Sequence, residues 1–437
     1  MNGLLTDLYE LTMAAGYFAA GKQNDIGTFE FTIRHLPRNR DFVLVAGLHS
    51  AVDYLLNLSF GGEEIAYLRG LENFRNAPPA FWDYLAGFRF TGDVFAVPEG
   101  TVLYAGQPVM NIRAPLIEGQ IPETYLLSAV TFETLIATKA ARIVHAAAPP
   151  GADRGRDVIE FGTRRAHTPE AGVLGARAAY IGGCAGTSNA LAGFRFGIPV
   201  MGTAAHSWVL SFETEEEAFR ELQQLLGSQT VQLIDTYDTM EGAHLAARLG
   251  KPLWGVRIDS GDLLPLSRDV RRILDSAGMQ DTRIMASGDL DESKIAAIVN
   301  AGAPVDAFGV GTELATSGDA PAMSTIYKLV EIQHRGRTRY TAKNSPDKQT
   351  LPGAKQLFRF PEYDLLGLHD ECAGGSEALL KPVIIGGRLI EPLPGVEEIR
   401  ERARAGLAQW PSGSRHTGHS LFLKKLDEEL RAVHVAS

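Results

Sequence analysis

Cysteine is nearly missing from this chain. Its 437 residues include two, Cys184 and Cys372, too far apart in sequence and too few for a disulfide framework or a cysteine-based zinc module. That usage fits a reducing, cytoplasmic compartment. An excess of positive charge is lacking as well: 42 Lys and Arg stand against 52 Asp and Glu, a net charge of −10. This argues against a nucleic-acid platform while leaving room for a local basic pocket. No apolar run approaches the roughly 18 residues of a membrane span. The opening MNGLLTDLYELTMAAGYF has no basic leader and is broken by Asp7 and Glu10, so it does not read as a signal peptide. HxH and HExxH spacings are absent, which speaks against a transition-metal site, and no GxGxxG opens a strand–helix unit.

What is present is an ordinary globular balance, 45% hydrophobic with 22% charged. The length exceeds one compact core and predicts two or three domains. The first 25 residues read as a helix capped by Thr6 or Asp7 and stopped by Gly21. TFEFTIRHLP and FVLVAGL read as strands, and LHSAVDYLLNL and EEIAYLRGL as helices. From Phe88 to Glu123 short strands alternate with Gly and Pro turns, as in a small antiparallel sheet. Thr124 to Ala148 returns to a helix, and the main boundary lies near it.

From Asp157 to Glu313 the chain becomes rhythmic. VIEFGTRRA, AYIGGCAGT, PVMGTAAH, VQLIDTYDT, WGVRIDSGD, RIMASGDLD and AFGVGTE are seven apolar runs, each ending in small, polar or charged residues, and most are separated by helical segments. Repeated strand–helix pairs make a parallel sheet, and this many favour a closed barrel with its chemistry at the C-terminal strand ends. A doubly wound open sheet is the alternative. After Ser324 strands return, and two helices finish the chain. The expected architecture is therefore an α/β barrel over 124–323 and a discontinuous β-rich α+β domain from 1–123 with 324–437.

The strand ends carry the candidate chemistry. GTSN at Gly186–Asn189 and GTAAHS at Gly202–Ser207 are small-residue turns whose free N–H groups suit an anion. His206 closes the second turn, and histidine is the residue type whose charge is most readily switched under physiological conditions. A lone histidine is commonly a polar core residue, but this one follows a Gly turn, and Asp235 is available to orient it. Arg164 and Arg165 end the first run, where a guanidinium can pair with a carboxylate or phosphate. Asp235 and Asp238, then Arg257, Asp259 and Asp262, follow at later ends. Such acids hold Mg²⁺, ribose hydroxyls or a histidine, although Asp262 reads more simply as a helix cap. The turns Ala286–Asp289 and Gly309–Thr312 suit phosphate.

Taken together, TDLYELTM, FGTRRAH, GTSNALAGFRFGIPVMGTAAHS, the IDSGD turn and FGVGT strongly resemble the nicotinate phosphoribosyltransferase family, in order and over most of the chain. The resemblance implies an irregular TIM-like α/β barrel plus a β-rich domain, working as a homodimer with shared active sites. It implies that nicotinate is joined to 5-phosphoribosyl-1-pyrophosphate (PRPP) in the salvage route to NAD. ATP hydrolysis is then coupled through phosphorylation of one histidine, matching His206, with Asp235 and Asp259 beside it and Mg²⁺ brought by the substrate phosphates. Tyr9, Phe161, Arg164, Thr187 and Ser188 are implied to receive nicotinate, with Tyr9 reaching the pyridine ring from the neighbouring subunit. Arg34, Arg257, Gly288, Asp289, Gly311 and Thr312 are implied to receive PRPP. Ser188 stands where related nicotinamide enzymes resemble GTD, so an acid is expected over an amide.

The residues agree with that chemistry. Ribosyl transfer from PRPP needs cationic groups on the leaving oxygens, turns for the 5′-phosphate and an acid for the ribose hydroxyls. It needs no general base, because the pyridine nitrogen has a free lone pair, so a histidine is left over to accept a phosphoryl group. A quinolinate phosphoribosyltransferase would want more basic residues and a shorter chain. A barrel lyase or isomerase would want a strand-end lysine, and the seven runs contain none. A non-enzymatic binding protein would not need so many polar strand ends.

Overall fold

A computed structural model of the chain describes residues 3–149, 155–345, 348–409 and 415–435. Two compact units divide it, one of residues 1–135, 322–394 and 401–437, the other of 136–321 and 395–400.

The first unit is β-rich. Seven antiparallel strands form one sheet in the order Arg337–Tyr340, Ser324–His334, Ile26–His35, Pro108–Pro115, Asp93–Ala96, Lys381–Ile385, Arg388–Leu389. Strand Ile26–His35 alternates as expected of a pleated segment: Phe29, Phe31 and Ile33 lie in the core, while Thr28, Glu30, Thr32 and Arg34 occupy the other parity. Its partner on one side is Ser324–His334, so the N-terminal and C-terminal parts of the chain share one sheet. A second sheet orders Glu377–Ala378, Lys355–Arg359, Asp364–Leu368 and Thr417–His419. Helix Leu8–Ala19 opens the unit; Asp7 caps it in a box with Glu10, and Gly21 follows at φ +66°.

The second unit is built on a parallel sheet, whose strands are numbered here in chain order: β1 (Asp157–Glu160), β2 (Gly186–Thr187), β3 (Val231–Leu233), β4 (Gly255–Ile258), β5 (Arg283–Ala286) and β6 (Ala307–Val310). They pair in the order β2-β1-β6-β5-β4-β3, all parallel. The order runs round in sequence as it does in a barrel, but among the described residues the hydrogen-bonded ladder is open between β2 and β3. Strands β3, β4 and β6 are buried along their whole length, as strands in a helix-covered parallel sheet are.

Two of the seven expected strands differ. In AYIGGCAGT, Ala179–Ile181 end the helix Pro169–Ile181, and only Gly186–Thr187 is strand. PVMGTAAH contributes a single bridge, Val200 to Thr187. Gly202 and Thr203 behind it, with nothing to pair to, remain an irregular turn. Short apolar runs look alike whether they end a buried helix or enter a sheet.

The helices after β3, β4 and β5 bury one stripe each and start on an aspartate. Asp238 caps Thr239–Leu249, Asp262 caps Leu263–Ser276 and Asp291 caps Glu292–Asn300. Each cap accepts backbone N–H groups that the helix cannot satisfy, worth about 1 kcal/mol apiece. Asp262 is thus a cap, as its turn position indicates.

Candidate active site

Register places the candidate side chains. In the parallel ladder Arg257 on β4 stands beside Met285 on β5, and Met285 beside Ala307 on β6. Strand side chains alternate faces, so Arg257, Asp259, Ser287, Gly309, Gly311, Ile159 and Phe161 share one face at the C-terminal end of the sheet. Val256, Ile258 and Ile284 point the other way, into the helix-packed core.

Arg257, only 8% exposed, organises this face. Its Nε donates to Ser287 Oγ at 2.7 Å, Nη1 to Thr203 Oγ1 at 2.7 Å and Nη2 to Asp259 Oδ1 at 2.7 Å. The guanidinium also lies 5.6 Å from the centre of the Phe161 ring. Gly309 carries no side chain where a Cβ would meet that ring at 2.5 Å. Asp259 accepts from Ser287 Oγ at 2.6 Å as well. Burial opposes its ionisation, yet the Ser287 hydroxyl, Arg257 and His206 together hold its carboxyl below the usual range.

His206 begins the short helix His206–Leu210. Its Nδ1 lies 3.2 Å from Thr236 Oγ1. Its Nε2 faces two carboxylates, Asp259 Oδ2 at 3.7 Å and Asp235 Oδ1 at 4.0 Å. Neither distance is a hydrogen bond. Thr236 is the hydrogen-bond partner of the ring, while Asp235 Oδ2 accepts from the backbone N–H of Asp259 at 2.9 Å and from Ser260 Oγ at 2.6 Å. Asp235 Oδ1 is buried and has no hydrogen-bond partner. Nearby Glu215 is pushed up to about 6 by burial and by the charges of Asp235 and Asp238. Negative charge thus accumulates around the histidine.

Alternation also separates Thr187 from Ser188. Glu160 stands beside Thr187 in the ladder, both on the face away from Arg257. Thr187 is fully buried, its hydroxyl donating to Glu160 Oε2 at 2.5 Å and accepting from the Asn189 N–H at 2.9 Å. The other Glu160 oxygen accepts from the Gly162 N–H. Burial pushes this carboxyl up, against those hydrogen bonds. Thr187 thereby ties the turn after β2 to the turn after β1. Ser188 is exposed one residue on, and Arg164 is exposed in the single turn Thr163–Arg165.

The two phosphate-suited turns lie after β5 and β6. Gly288 has φ +97°, and a Cβ there would stand 2.1 Å from the Asp259 carbonyl oxygen. Asp289 follows at φ +46°, a left-handed conformation uncommon outside glycine. Gly311 precedes the helix Thr312–Thr316, with Thr312 exposed.

Tyr9 and Arg34 belong to the first unit. Tyr9 is 46% exposed on helix Leu8–Ala19, and burial with the charges of Glu123 and Glu10 raises its hydroxyl pKa. Arg34 lines a cavity of about 380 Å³ with Glu30, Thr32 and Lys355. Four contributors were not singled out from sequence: Thr203, Thr236, Ser287 and Glu160. The first three sit inside the motifs already quoted, where hydroxyls beside charged residues were the available signal. Glu160 gives none, since a carboxylate ending an apolar run looks like a surface residue.

Two family models match the chain: the nicotinate phosphoribosyltransferase (NAPRTase) N-terminal domain over residues 4–131 and the NAPRTase family over residues 157–350. Nicotinate phosphoribosyltransferase pncB2 of Mycobacterium tuberculosis is 42% identical, the match covering 96% of this chain and 90% of the relative. The Bacillus subtilis nicotinate phosphoribosyltransferase is 41% identical over 86% of this chain and 78% of its own length. Among solved structures, human nicotinic acid phosphoribosyltransferase superposes with a TM-score of 0.84 at 27% identity, covering 97% of this chain and 99% of the human one.

Proposed function

This chain belongs to the nicotinate phosphoribosyltransferase family, and on that premise we propose that it joins nicotinate to PRPP, releasing pyrophosphate and nicotinate mononucleotide for NAD salvage, with ATP consumed through a phosphate carried on His206. The observation that supports this reading is His206 itself, with Nδ1 beside Thr236 Oγ1 and Nε2 facing Asp259 and Asp235 at adjacent strand ends.

With the proton on Nδ1 and donated to Thr236, Nε2 keeps a free lone pair. It attacks the γ-phosphorus of ATP, the bond to the bridging oxygen breaks, ADP leaves and a phosphoramidate remains. The two carboxylates compensate the imidazolium charge formed in that step. In ribosyl transfer the pyridine nitrogen brings its own lone pair to C1′ of PRPP, and the C1′–oxygen bond breaks as pyrophosphate leaves. Backbone N–H groups of the turns at Gly288–Asp289 and Gly311–Thr312 receive the 5′-phosphate, and Asp259 receives ribose hydroxyls. Arg257 spends its donors on Ser287, Thr203 and Asp259. Its part is to hold Asp259 and the Thr203 turn in place while lending positive charge. Arg164 and Ser188 bind the nicotinate carboxylate, and Phe161 packs near the ring. Tyr9 and Arg34 act in the active site of a neighbouring subunit of a homodimer.

Mg²⁺ fits the donor set. Asp235 Oδ1 is a buried carboxylate oxygen without a partner, and carboxylate oxygens suit a hard cation. Among the described residues no three His, Cys, Asp or Glu side chains form a metal cage, so Asp235 and Asp259 would hold the ion together with substrate phosphate oxygens. There it supplies charge neutralisation on those oxygens.

The test is incubation with γ-labelled ATP and Mg²⁺, followed by acid and base treatment. Wild type is expected to hold a base-stable, acid-labile label that His206→Ala lacks, while the variant keeps slow ATP-independent synthesis. Equal acid-labile labelling of both proteins would place the acceptor elsewhere. Loss of all ATP-independent synthesis in the variant would put His206 in the ribosyl step itself.

A further inference from the structure

We propose that Lys139 is a positioning residue for PRPP: its ammonium ties together the two segments that carry the turns read above as the 5′-phosphate site. This rests on that reading of the turns.

Lys139 is carried by the helix Glu123–Ala146, and its side chain is 1% exposed. A buried ammonium is costly unless paired and hydrogen-bonded. Its Nζ donates to Glu292 Oε2 at 2.5 Å and to Asp319 Oδ1 at 2.8 Å, with Glu313 Oε2 at 3.9 Å. Glu292 opens the helix after β5, three residues beyond Asp289, and also accepts from Arg142 Nε at 3.2 Å. Glu313 directly follows Thr312, and Asp319 lies just beyond the same short helix. One cation therefore contacts carboxylates from the segment after β5 and from the segment after β6. Burial works against ionisation of Glu292, yet Lys139 and Arg142 hold its carboxyl below the usual range.

Such a tie matters for binding a phosphate to backbone N–H groups. Two turns on neighbouring strands must keep their spacing, because small errors in position at a preorganised site are expensive. Without the lysine, Glu292 and Asp319 lose the ammonium that both contact, and the two segments lose their common partner. The effect should fall on PRPP, since nicotinate is assigned to the turns after β1 and β2.

Lys139→Met is the direct variant, read by steady-state kinetics with Mg²⁺ and by calorimetric titration with PRPP. The KM for PRPP is expected to rise by about tenfold or more, with that for nicotinate within about twofold. A folded Lys139→Met protein with an unchanged PRPP KM, or with both KM values raised alike, overturns the proposal. If Lys139→Met does not fold, Asp319→Asn loosens only the segment after β6, and an unchanged PRPP KM there overturns it equally. Thr312→Pro, which removes one of the turns' backbone N–H groups at the first position of the helix Thr312–Thr316, where proline is tolerated, separates the two readings. A raised PRPP KM in Thr312→Pro with none in the Lys139 or Asp319 variants sinks the tie alone; no change in Thr312→Pro sinks the phosphate turns themselves.

Discussion

Replacing Asp259 by asparagine tests the centre of the site with almost no change of shape. The wild-type carboxylate takes 2.7 Å hydrogen bonds from Arg257 Nη2 and 2.6 Å bonds from Ser287 Oγ, and faces His206 Nε2 at 3.7 Å. Arg257 keeps its two hydroxyl partners in the variant but loses its counter-charge while 10% exposed. Removing one partner of a buried pair costs roughly 3–5 kcal/mol, whereas exposed pairs are worth about 1 kcal/mol or less. The Asp259 side chain is 24% exposed, so water screens part of the loss, and about 2 kcal/mol is expected. For a unit of this size that lowers Tm by about 4–8 °C. The sign with pH follows from the lowered carboxyl. Its contribution is complete above the unfolded value, near 3.9 for aspartate, and is lost as pH falls through the folded value below it. Differential scanning calorimetry at pH 7 and at about pH 3 therefore checks the reasoning. A Tm difference under about 1 °C at pH 7, or one undiminished in acid, would refute the account of Arg257 and Asp259 as a coupled charge pair.

Ser188→Asp should lower kcat/KM for nicotinate by about tenfold or more through like-charge repulsion, while wild type prefers nicotinate to nicotinamide; equal turnover of acid and amide by wild type counts against the assignment. Thr236→Val removes the partner of His206 Nδ1, so the rate of acid-labile labelling from ATP should fall about tenfold while stability changes by about 1 kcal/mol. An unaltered labelling rate would free Thr236 of that role. Mixing Tyr9→Ala with Arg257→Ala should restore about a quarter of wild-type activity after full subunit exchange, because half the dimers then hold one intact site. No recovery after verified exchange argues against sharing, and a monomer in sedimentation would do so more directly.

The order of βα units was legible in the chain, because hydrophobic runs, caps and turn residues are local properties. So was the cap at Asp262, whose turn position indicates it; that Asp238 is also a cap was not read from the chain. The family was legible too, since its motifs are contiguous stretches. Faces were not. Thr187 and Ser188 are neighbours in sequence, and only the pairing of Glu160 with Thr187 decides which one turns from the site, because a one-residue change of register exchanges the two sides of a strand. Partners of the charged groups were also hidden. Thr236 is the hydrogen-bond partner of His206, and Arg257 is largely committed to Ser287, Thr203 and Asp259. Lys139 carried no signal at all: a lysine in a helical stretch reads as surface. Its burial among Glu292, Glu313 and Asp319, some 150 to 180 positions away, comes from the packing of segments that the linear chain keeps apart.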